Sequence, residues 1–250
     1  MLTQQNYILN NGISIPKLGF GTWMIDNEQV VQAVKDALTI GYRHIDTAQA
    51  YGNEQGTGEA IRTSGINRDE IFLTSKVAAE LKTYDAAAQS IDSSLEKLGL
   101  ETIDLMIIHA PQPWDEFREA NYDAENIDVW RALEDAYKQG KVRAIGVSNF
   151  NEHDLDNILQ NGIVKPAVNQ ILTHVTNTPF ALIEYCKAND ILVEAYSPVG
   201  HGELLKRKEL AEMADKYQVS IAQLAIRYCL QLDLLPLPKS ATKAIFKKSI

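Results

Sequence analysis

The chain has few of the residues that build disulfide-rich or metal-binding proteins. It contains two cysteines and five histidines in 250 residues. Cys186 and Cys229 each fall within a helical pattern, so we expect two reduced thiols in the core and no disulfide framework. The histidines, at positions 44, 109, 153, 174 and 201, show no H-x-x-x-H spacing. The sequence therefore predicts no metal site.

Basic residues and long apolar runs are also scarce. Lys and Arg number 24 against 33 Asp and Glu, which gives a net charge of −9. This balance argues against the basic surface that nucleic-acid binding requires. No run reaches the roughly 18 apolar residues of a membrane span, and MLTQQNYILNNGISIP at the start is unlike a secretory signal. We therefore expect a cytoplasmic protein with neither a nucleic-acid nor a membrane partner.

The glycine-rich fingerprint of a dinucleotide-binding sheet is incomplete. Gly19 and Gly21 begin a G-x-G-x-x-G pattern, but Met24 stands in the place of the third glycine. Gly56 and Gly58 form a second G-x-G that also does not extend. A doubly wound dinucleotide-binding fold is therefore disfavoured.

What the chain does contain is a repeated unit, a short apolar run followed by a polar turn and a helical pattern. Most of the runs are apolar throughout, as in parallel strands that are covered on both faces. Before them, Asn11-Gly12 within Tyr7–Pro16 predicts a β-hairpin. The eight predicted strands are Leu18–Trp23, Arg43–Thr47, Ile71–Lys76, Ile103–His109, Ala144–Ser148, Val168–Gln170, Leu192–Ser197 and Leu235–Lys239. Eight βα units in 250 residues predict an α/β fold, a single (β/α)8 TIM-barrel domain over residues 1–250.

The helical patterns carry recognisable starts and stops. Apolar residues recur at three- and four-residue spacing from Tyr84 to Leu98, as in an amphipathic helix, and Gly99 then provides a stop. Asn151 followed by Asp154 predicts a capped helix start with a carboxylate in the first turn.

Polar side chains end several predicted strands. Asp46 ends the second strand with Tyr51 in the loop after it, Lys76 ends the third, and His109 ends the fourth. Each has an ordinary explanation, as a turn-forming Asp, a solvated Lys or a half-buried His. Together they fall on the carboxyl-terminal rim of the barrel, where barrel enzymes hold their active sites, so the pattern favours an enzyme site.

The four side chains have complementary chemistry. A phenol with a reference pKa near ~10 is a weak acid at neutral pH, and a neighbouring ammonium lowers that pKa. The sequence thus predicts Tyr51 as a general acid tuned by Lys76 and Asp46. His109 is placed to orient a carbonyl oxygen.

The same segments resemble a known family, the aldo-keto reductases. The similar segments are GYRHIDTAQAYGNEQGTGEAI (41–61), IFLTSK (71–76), IDLMIIHAP (103–111), GKVRAIGVSNF (140–150), VNQ (168–170), AYSPVG (195–200) and LPLPKS (235–240). They are most similar to the bacterial members grouped with diketogluconate and glyoxal reductases. The resemblance implies a barrel that reduces aldehydes or ketones to alcohols with NADP(H) as cofactor.

The resemblance also implies a role for each matching residue. Tyr51 protonates the carbonyl oxygen, Lys76 and Asp46 tune it, and His109 orients the substrate. The implied cofactor contacts are Gly21, Thr22 and Trp23 below the nicotinamide ring, Tyr196 stacked on it, Ser148, Asn149 and Gln170 at its carboxamide, Ser197, Pro198 and Val199 at the pyrophosphate, and Lys239 and Ser240 at the 2′-phosphate. Trp23 and Trp114 complete the substrate pocket with Tyr51 and His109, although barrel packing would also explain Trp23 and loop packing Trp114.

The sequence departs from the family pattern at three places. Ala110 stands where many relatives have Trp, and Leu172 stands where a Glu is frequent after VNQ. The ending TKAIFKKSI lacks resemblance to the family's final helix and tail, and Ile245 occupies the place of a phosphate-binding Arg. We therefore expect a barrel truncated after the eighth strand, with weakened NADP(H) binding and less discrimination against NAD(H). The alternative is a catalytically impaired barrel that acts as a nicotinamide-cofactor sensor or partner-binding module. For either we expect a monomer or weak oligomer.

Overall fold

The computed structural model describes residues 5–239. Its strands are β1 Asn6–Ile8, β2 Ser14–Pro16, β3 Gly19–Gly21, β4 His44–Asp46, β5 Phe72–Val77, β6 Ile103–Ile108, β7 Val142–Ser148, β8 Val168–Leu172, β9 Leu192–Tyr196 and β10 Leu235–Leu237. Its α-helices are α1 Asn27–Thr39, α2 Glu54–Arg62, α3 Tyr84–Leu98, α4 Asp123–Lys138, α5 Glu152–Asn161, α6 Phe180–Ala188, α7 Lys208–Tyr217 and α8 Ile221–Gln231. From β3 onward strands and helices alternate along the chain, except that two helices, α7 and α8, separate β9 from β10.

The eight strands β3 to β10 form one parallel sheet in chain order. The two edge strands meet where the Gly21 N–H donates a hydrogen bond to the Pro238 carbonyl at 3.0 Å, so the sheet curls into a barrel. The predicted (β/α)8 barrel is confirmed. Its strands lie within a few residues of the predicted ones, and His109 follows directly after β6. The predicted truncation after the eighth strand falls on residues outside those described.

The predicted hairpin closes the amino-terminal end of the barrel. Strands β1 and β2 pair antiparallel, and Gly12 in the turn has a φ of 84°, which suits glycine. Leu9 and Ile15 are buried in one apolar cluster with Phe72 and Leu105 from the barrel strands. The hairpin therefore covers the apolar bottom of the barrel and leaves polar side chains for the opposite end.

Local sequence sets the helix boundaries as predicted. The Thr83 hydroxyl accepts a hydrogen bond from the Ala86 N–H at the start of α3, and Gly99 ends α3 with a φ of 62°. Helix α5 begins with a capping box in which Asn151 and Asp154 satisfy each other's backbone N–H groups.

The sparse residue types noted in the sequence lie within this framework. Cys186 and Cys229 are free thiols and both are buried, as predicted for core cysteines. Within residues 5–239, no helix is long and apolar enough to cross a membrane. The same range holds no group of three or more His, Cys, Asp or Glu side chains that is arranged to bind a metal ion.

The second G-x-G of the sequence serves helix packing. An ideal Cβ on Gly56 would lie 2.2 Å from the Asn27 carbonyl oxygen at the start of α1, and one on Gly58 would lie 2.0 Å from the Leu98 carbonyl oxygen in α3. Helix α2 therefore approaches both neighbours as closely as a bare backbone allows, which explains why these glycines do not belong to a nucleotide-binding fingerprint.

Gly58→Ala tests this packing. Alanine has the higher helix propensity by about 1 kcal/mol, but its methyl group has to displace backbone, and overpacking of this kind costs about 1–3 kcal/mol. We expect a net loss of unfolding free energy in urea denaturation. The control is Glu59→Ala, at the next, exposed position of α2. A stabilised Gly58→Ala variant would contradict the packing argument.

Candidate active site

Four predicted side chains meet at the carboxyl ends of adjacent strands. Asp46 is the last residue of β4, Lys76 lies near the end of β5, and His109 follows β6. Tyr51 ends a short 3-10 helix, Gln49–Tyr51, in the loop after β4. The parallel barrel thus brings together residues that lie as much as 63 positions apart in the chain.

The Lys76 ammonium is the centre of this group. Its Nζ donates to Asp46 Oδ1 at 2.6 Å, to the Thr47 carbonyl at 2.9 Å and to Tyr51 Oη at 3.3 Å. Lys76 is fully buried, and the three acceptors match the three hydrogens of an ammonium. Because Tyr51 Oη accepts from Lys76, the phenol's own proton is left to point towards another acceptor.

Burial dominates the protonation of Tyr51. It raises the pKa of Tyr51, and Lys76 opposes the rise without cancelling it. The net direction is therefore opposite to the lowered pKa that the sequence predicted, because the phenol is withdrawn from water. Burial also acts to lower the pKa of Lys76, but Asp46 and Tyr51 together raise it. The pair is thus a protonated phenol beside a permanent ammonium.

His109 is a neutral imidazole in this setting. Burial first and Lys76 second lower its pKa to about 3. Its ring meets the Tyr51 ring edge-on at 5.6 Å between centroids and the Trp114 ring at 5.4 Å. Its Nδ1 is buried without a hydrogen-bond partner among residues 5–239, so no contact at this nitrogen stabilises the charged imidazolium.

A second polar group, next to the first, follows β7, β8 and β9. Asn149, with a φ of 61°, donates through Nδ2 to the His109 carbonyl and to Ser148 Oγ, both at 3.0 Å. The Tyr196 hydroxyl donates to Asn149 Oδ1 at 2.9 Å. The Ser148 hydroxyl donates to the Gln170 carbonyl at 2.8 Å. Four residues predicted to bind cofactor therefore form one connected cluster.

The Gln170 side chain joins the two groups. Its Nε2 donates to Asp46 Oδ2 at 2.9 Å and to Glu194 Oε2 at 2.7 Å. The sequence analysis missed Glu194, because its strand was read as a continuous apolar run. A signal was present, since Glu194 lies two residues before Tyr196 and alternate residues of a strand share a face.

Arg118 is a second residue that sequence reasoning missed. Its guanidinium donates to the Asn149 carbonyl and to Asp154 Oδ2, each at 2.5 Å. It thereby ties the loop that carries Trp114 to the end of β7. Trp114 is 45% exposed and its ring lies beside His109. The partners of Arg118 lie more than 30 positions away in the chain, so no local sequence pattern predicts these contacts.

The remaining predicted residues lie around the rim. Thr22 is fully buried and its hydroxyl donates to the Asp46 carbonyl at 3.1 Å, so its side chain holds β4 in place. Trp23 is 42% exposed, with its ring against His201. Gly21 ends β3, Ser197, Pro198 and Val199 follow β9, and Lys239 is exposed after β10. Ser240 and Ile245 lie outside the described residues. The assigned cofactor and substrate contacts stay predictions.

Comparison with known proteins identifies the family. The model of the aldo/keto reductase family matches residues 17–248. This chain belongs to the aldo-keto reductase family. The match continues past residue 240, where the resemblance of individual segments ended.

Aldo-keto reductases of known sequence and structure are similar over most of the chain. Glyoxal reductase of Bacillus subtilis (strain 168) is 42% identical over 233 residues, which cover 93% of this chain and 81% of the relative. The crystal structure of an aldo/keto reductase from Brucella melitensis has a TM-score of 0.92 and 39% identity, covering 100% of this chain and 92% of that chain. A Bombyx mori aldo-keto reductase in complex with NADP has a TM-score of 0.88 and 34% identity, covering 98% of this chain and 86% of that one.

The lowered pKa of His109 in this aldo-keto reductase has a consequence for stability. The unfolded chain binds a proton on His109 below about pH 6.5, whereas the folded protein binds it only near pH 3. Stability is therefore lost as the pH falls through this window. Between pH 7.5 and 4.5, His109→Asn is expected to lose about 1–3 kcal/mol less unfolding free energy than the wild type. Urea denaturation at both pH values measures the difference, and parallel losses would contradict a neutral buried His109.

Proposed function

We propose that this protein reduces small aldehydes and ketones to alcohols with NADP(H). The observation that carries the proposal is the direction of the hydrogen bond between Lys76 and Tyr51. Because Lys76 Nζ donates to Tyr51 Oη at 3.3 Å, the phenol proton is free to pass to a carbonyl oxygen beside it. A general acid of this kind accelerates carbonyl reduction because it neutralises the charge that develops on oxygen.

Each of the four residues has a distinct task in this reaction. Tyr51 donates its proton to the carbonyl oxygen and becomes a phenolate. Lys76 stabilises that phenolate with its positive charge, and Asp46 fixes the ammonium at 2.6 Å. Neutral His109 donates a hydrogen bond to the same carbonyl oxygen and so orients the substrate. Bound nicotinamide cofactor supplies the hydride that reduces the carbonyl carbon.

The residues of the second polar group suit a nicotinamide. With both amide hydrogens of Gln170 donated to carboxyl groups, its oxygen Oε1 is the atom left to accept from a carboxamide. Ser148 and Asn149 lie in the same cluster, and the half-buried Tyr196 presents a ring beside it. The Bombyx mori relative was solved in complex with NADP, which supports the choice of cofactor.

The surroundings of Tyr51 favour a small substrate. The His109 ring meets the Tyr51 ring edge-on, and the Trp114 ring in turn meets the His109 ring. Arg118 holds the loop of Trp114 close to β7. The Bacillus subtilis relative is named for reduction of glyoxal, and we propose compact dicarbonyls such as methylglyoxal as the first substrates to test.

Tyr51→Phe tests the general acid. The substitution removes the phenol proton and keeps the ring, so we expect kcat for methylglyoxal to fall by about 10²–10⁴-fold. The assay follows NADPH oxidation by its absorbance. Tyr84→Phe is the matched control, because Tyr84 is exposed and bonds to Asp135 on the outer surface. Equal activity of Tyr51→Phe and wild type would overturn the assignment, and an inactive wild type that binds NADPH would favour a cofactor-binding module.

Lys239→Met tests the cofactor phosphate. Lys239 is an exposed cation just past β10, and we propose that it contacts the 2′-phosphate, a group that NADH lacks. Its loss is expected to weaken NADPH binding by about tenfold, the value of one charge-assisted hydrogen bond, and to leave NADH binding unchanged. Fluorescence titration with both cofactors measures the ratio. An equal loss for both cofactors would contradict contact with the 2′-phosphate.

A further inference from the structure

One carboxyl group inside the barrel has no task in the chemistry described so far. Glu194 on β9 is fully buried, in register with Gln170 on β8. Burying an ionised carboxylate is costly unless it is paired with a charge. The Lys76 ammonium already donates its hydrogens to Asp46, Thr47 and Tyr51. Among residues 5–239, the basic group within 4 Å of Glu194 is His44, and burial lowers the pKa of His44 to about 3, so His44 offers no positive charge at neutral pH.

The titratable groups that act on Glu194 come from β4 and β5, two strands that do not pair with β9. From β4, His44 Nε2 lies 3.9 Å from Glu194 Oε1, and Asp46 lies close enough to act on its charge. From β5, Lys76 acts in the opposite sense. The position next to Glu194 on β10 is the apolar Leu235.

Each oxygen of the Glu194 carboxyl has a different environment. Oε2 accepts a hydrogen bond from Gln170 Nε2 at 2.7 Å. Oε1 is buried without a hydrogen-bond partner among residues 5–239. A neutral carboxylic acid fits this arrangement, with its proton on Oε1 and its carbonyl lone pairs towards Gln170. Burial first and Asp46 second raise the pKa of Glu194 to about 8, which agrees with the geometry.

We propose that Glu194 is a positioning residue, which in its neutral form holds the Gln170 amide in the orientation that binds the nicotinamide carboxamide. The two amide hydrogens of Gln170 are shared between Asp46 and Glu194, so the amide is prevented from rotating about its last bond. The Gln170 oxygen is then already oriented towards the cofactor, so binding does not cost the amide any rotational freedom. This inference rests on the proposed NADP(H)-dependent function.

The first test separates the hydrogen bond from the charge. Glu194→Leu removes the acceptor for Gln170, and we expect the Kd of NADPH, measured by tryptophan fluorescence, to rise about tenfold with a much smaller change in kcat. Glu194→Gln imitates the neutral acid, because its amide oxygen replaces Oε2 and its NH₂ replaces the protonated Oε1. We expect this variant to restore the Kd to within about threefold of the wild type. A Kd in Glu194→Leu equal to that of the wild type, or no restoration by Glu194→Gln, would overturn the proposal.

The second test needs no turnover. The pKa of Glu194 is higher in the folded protein than in the unfolded chain, so the wild type loses stability as the pH rises from about 4.5 towards 8. Glu194→Gln has no such proton to lose. We expect the wild-type Tm to fall by several degrees relative to Glu194→Gln between pH 5 and pH 8.5. Equal dependence of Tm on pH in the wild type and in Glu194→Gln would overturn the claim that Glu194 is a neutral acid in the folded protein. A wild type that binds no NADPH would overturn the proposed function, and the Tm profiles would still decide the state of Glu194.

Discussion

The ion pair between Lys76 and Asp46 is the constraint on which the rest of the site depends. An ammonium fully buried in a barrel is tolerated only where its hydrogens all find acceptors and its charge finds an anion. The barrel meets this demand from β4 and from the loop after it. Asp46 supplies the charge, and the Thr47 carbonyl and the Tyr51 hydroxyl supply the remaining acceptors. The phenol is thus fixed in place by the same contacts that make the ammonium stable.

The polar interior extends this constraint to the opposite side of the barrel. The second carboxylate oxygen of Asp46 accepts a hydrogen bond from the side chain of Gln170 on β8. Gln170 in turn contacts Glu194, and its backbone carbonyl accepts from Ser148. Strands that are distant in the chain are therefore connected through side chains that depend on one another for their hydrogen bonds. In such a network the arrangement of one amide affects both the group proposed to transfer the proton and the group proposed to bind the cofactor.

The barrel and its polar rim were predictable because they leave local patterns in the sequence. Most strands are apolar runs, several end in a polar residue, and capping residues such as Asn151 mark helix starts. The contacts made by Arg118 and Glu194 were not predictable in this way, since their partners lie on other strands and loops. The direction of the Tyr51 pKa was also missed, because it depends on the balance of burial against Lys76 and only the charge was visible in the sequence. Sequence patterns thus place side chains on the rim of the barrel. How far each side chain is withdrawn from water, and so how its pKa shifts, depends on the assembled structure.

The hairpin below the barrel has a consequence for how molecules reach the site. Leu9 and Ile15 fill the amino-terminal end with apolar side chains, and the polar groups lie at the other end. Within residues 5–239, the polar groups of the barrel are therefore reached from the carboxyl rim. Two aliphatic side chains, placed at the end of the barrel far from the polar groups, in this way fix one face of the barrel as the approach for any molecule that binds there.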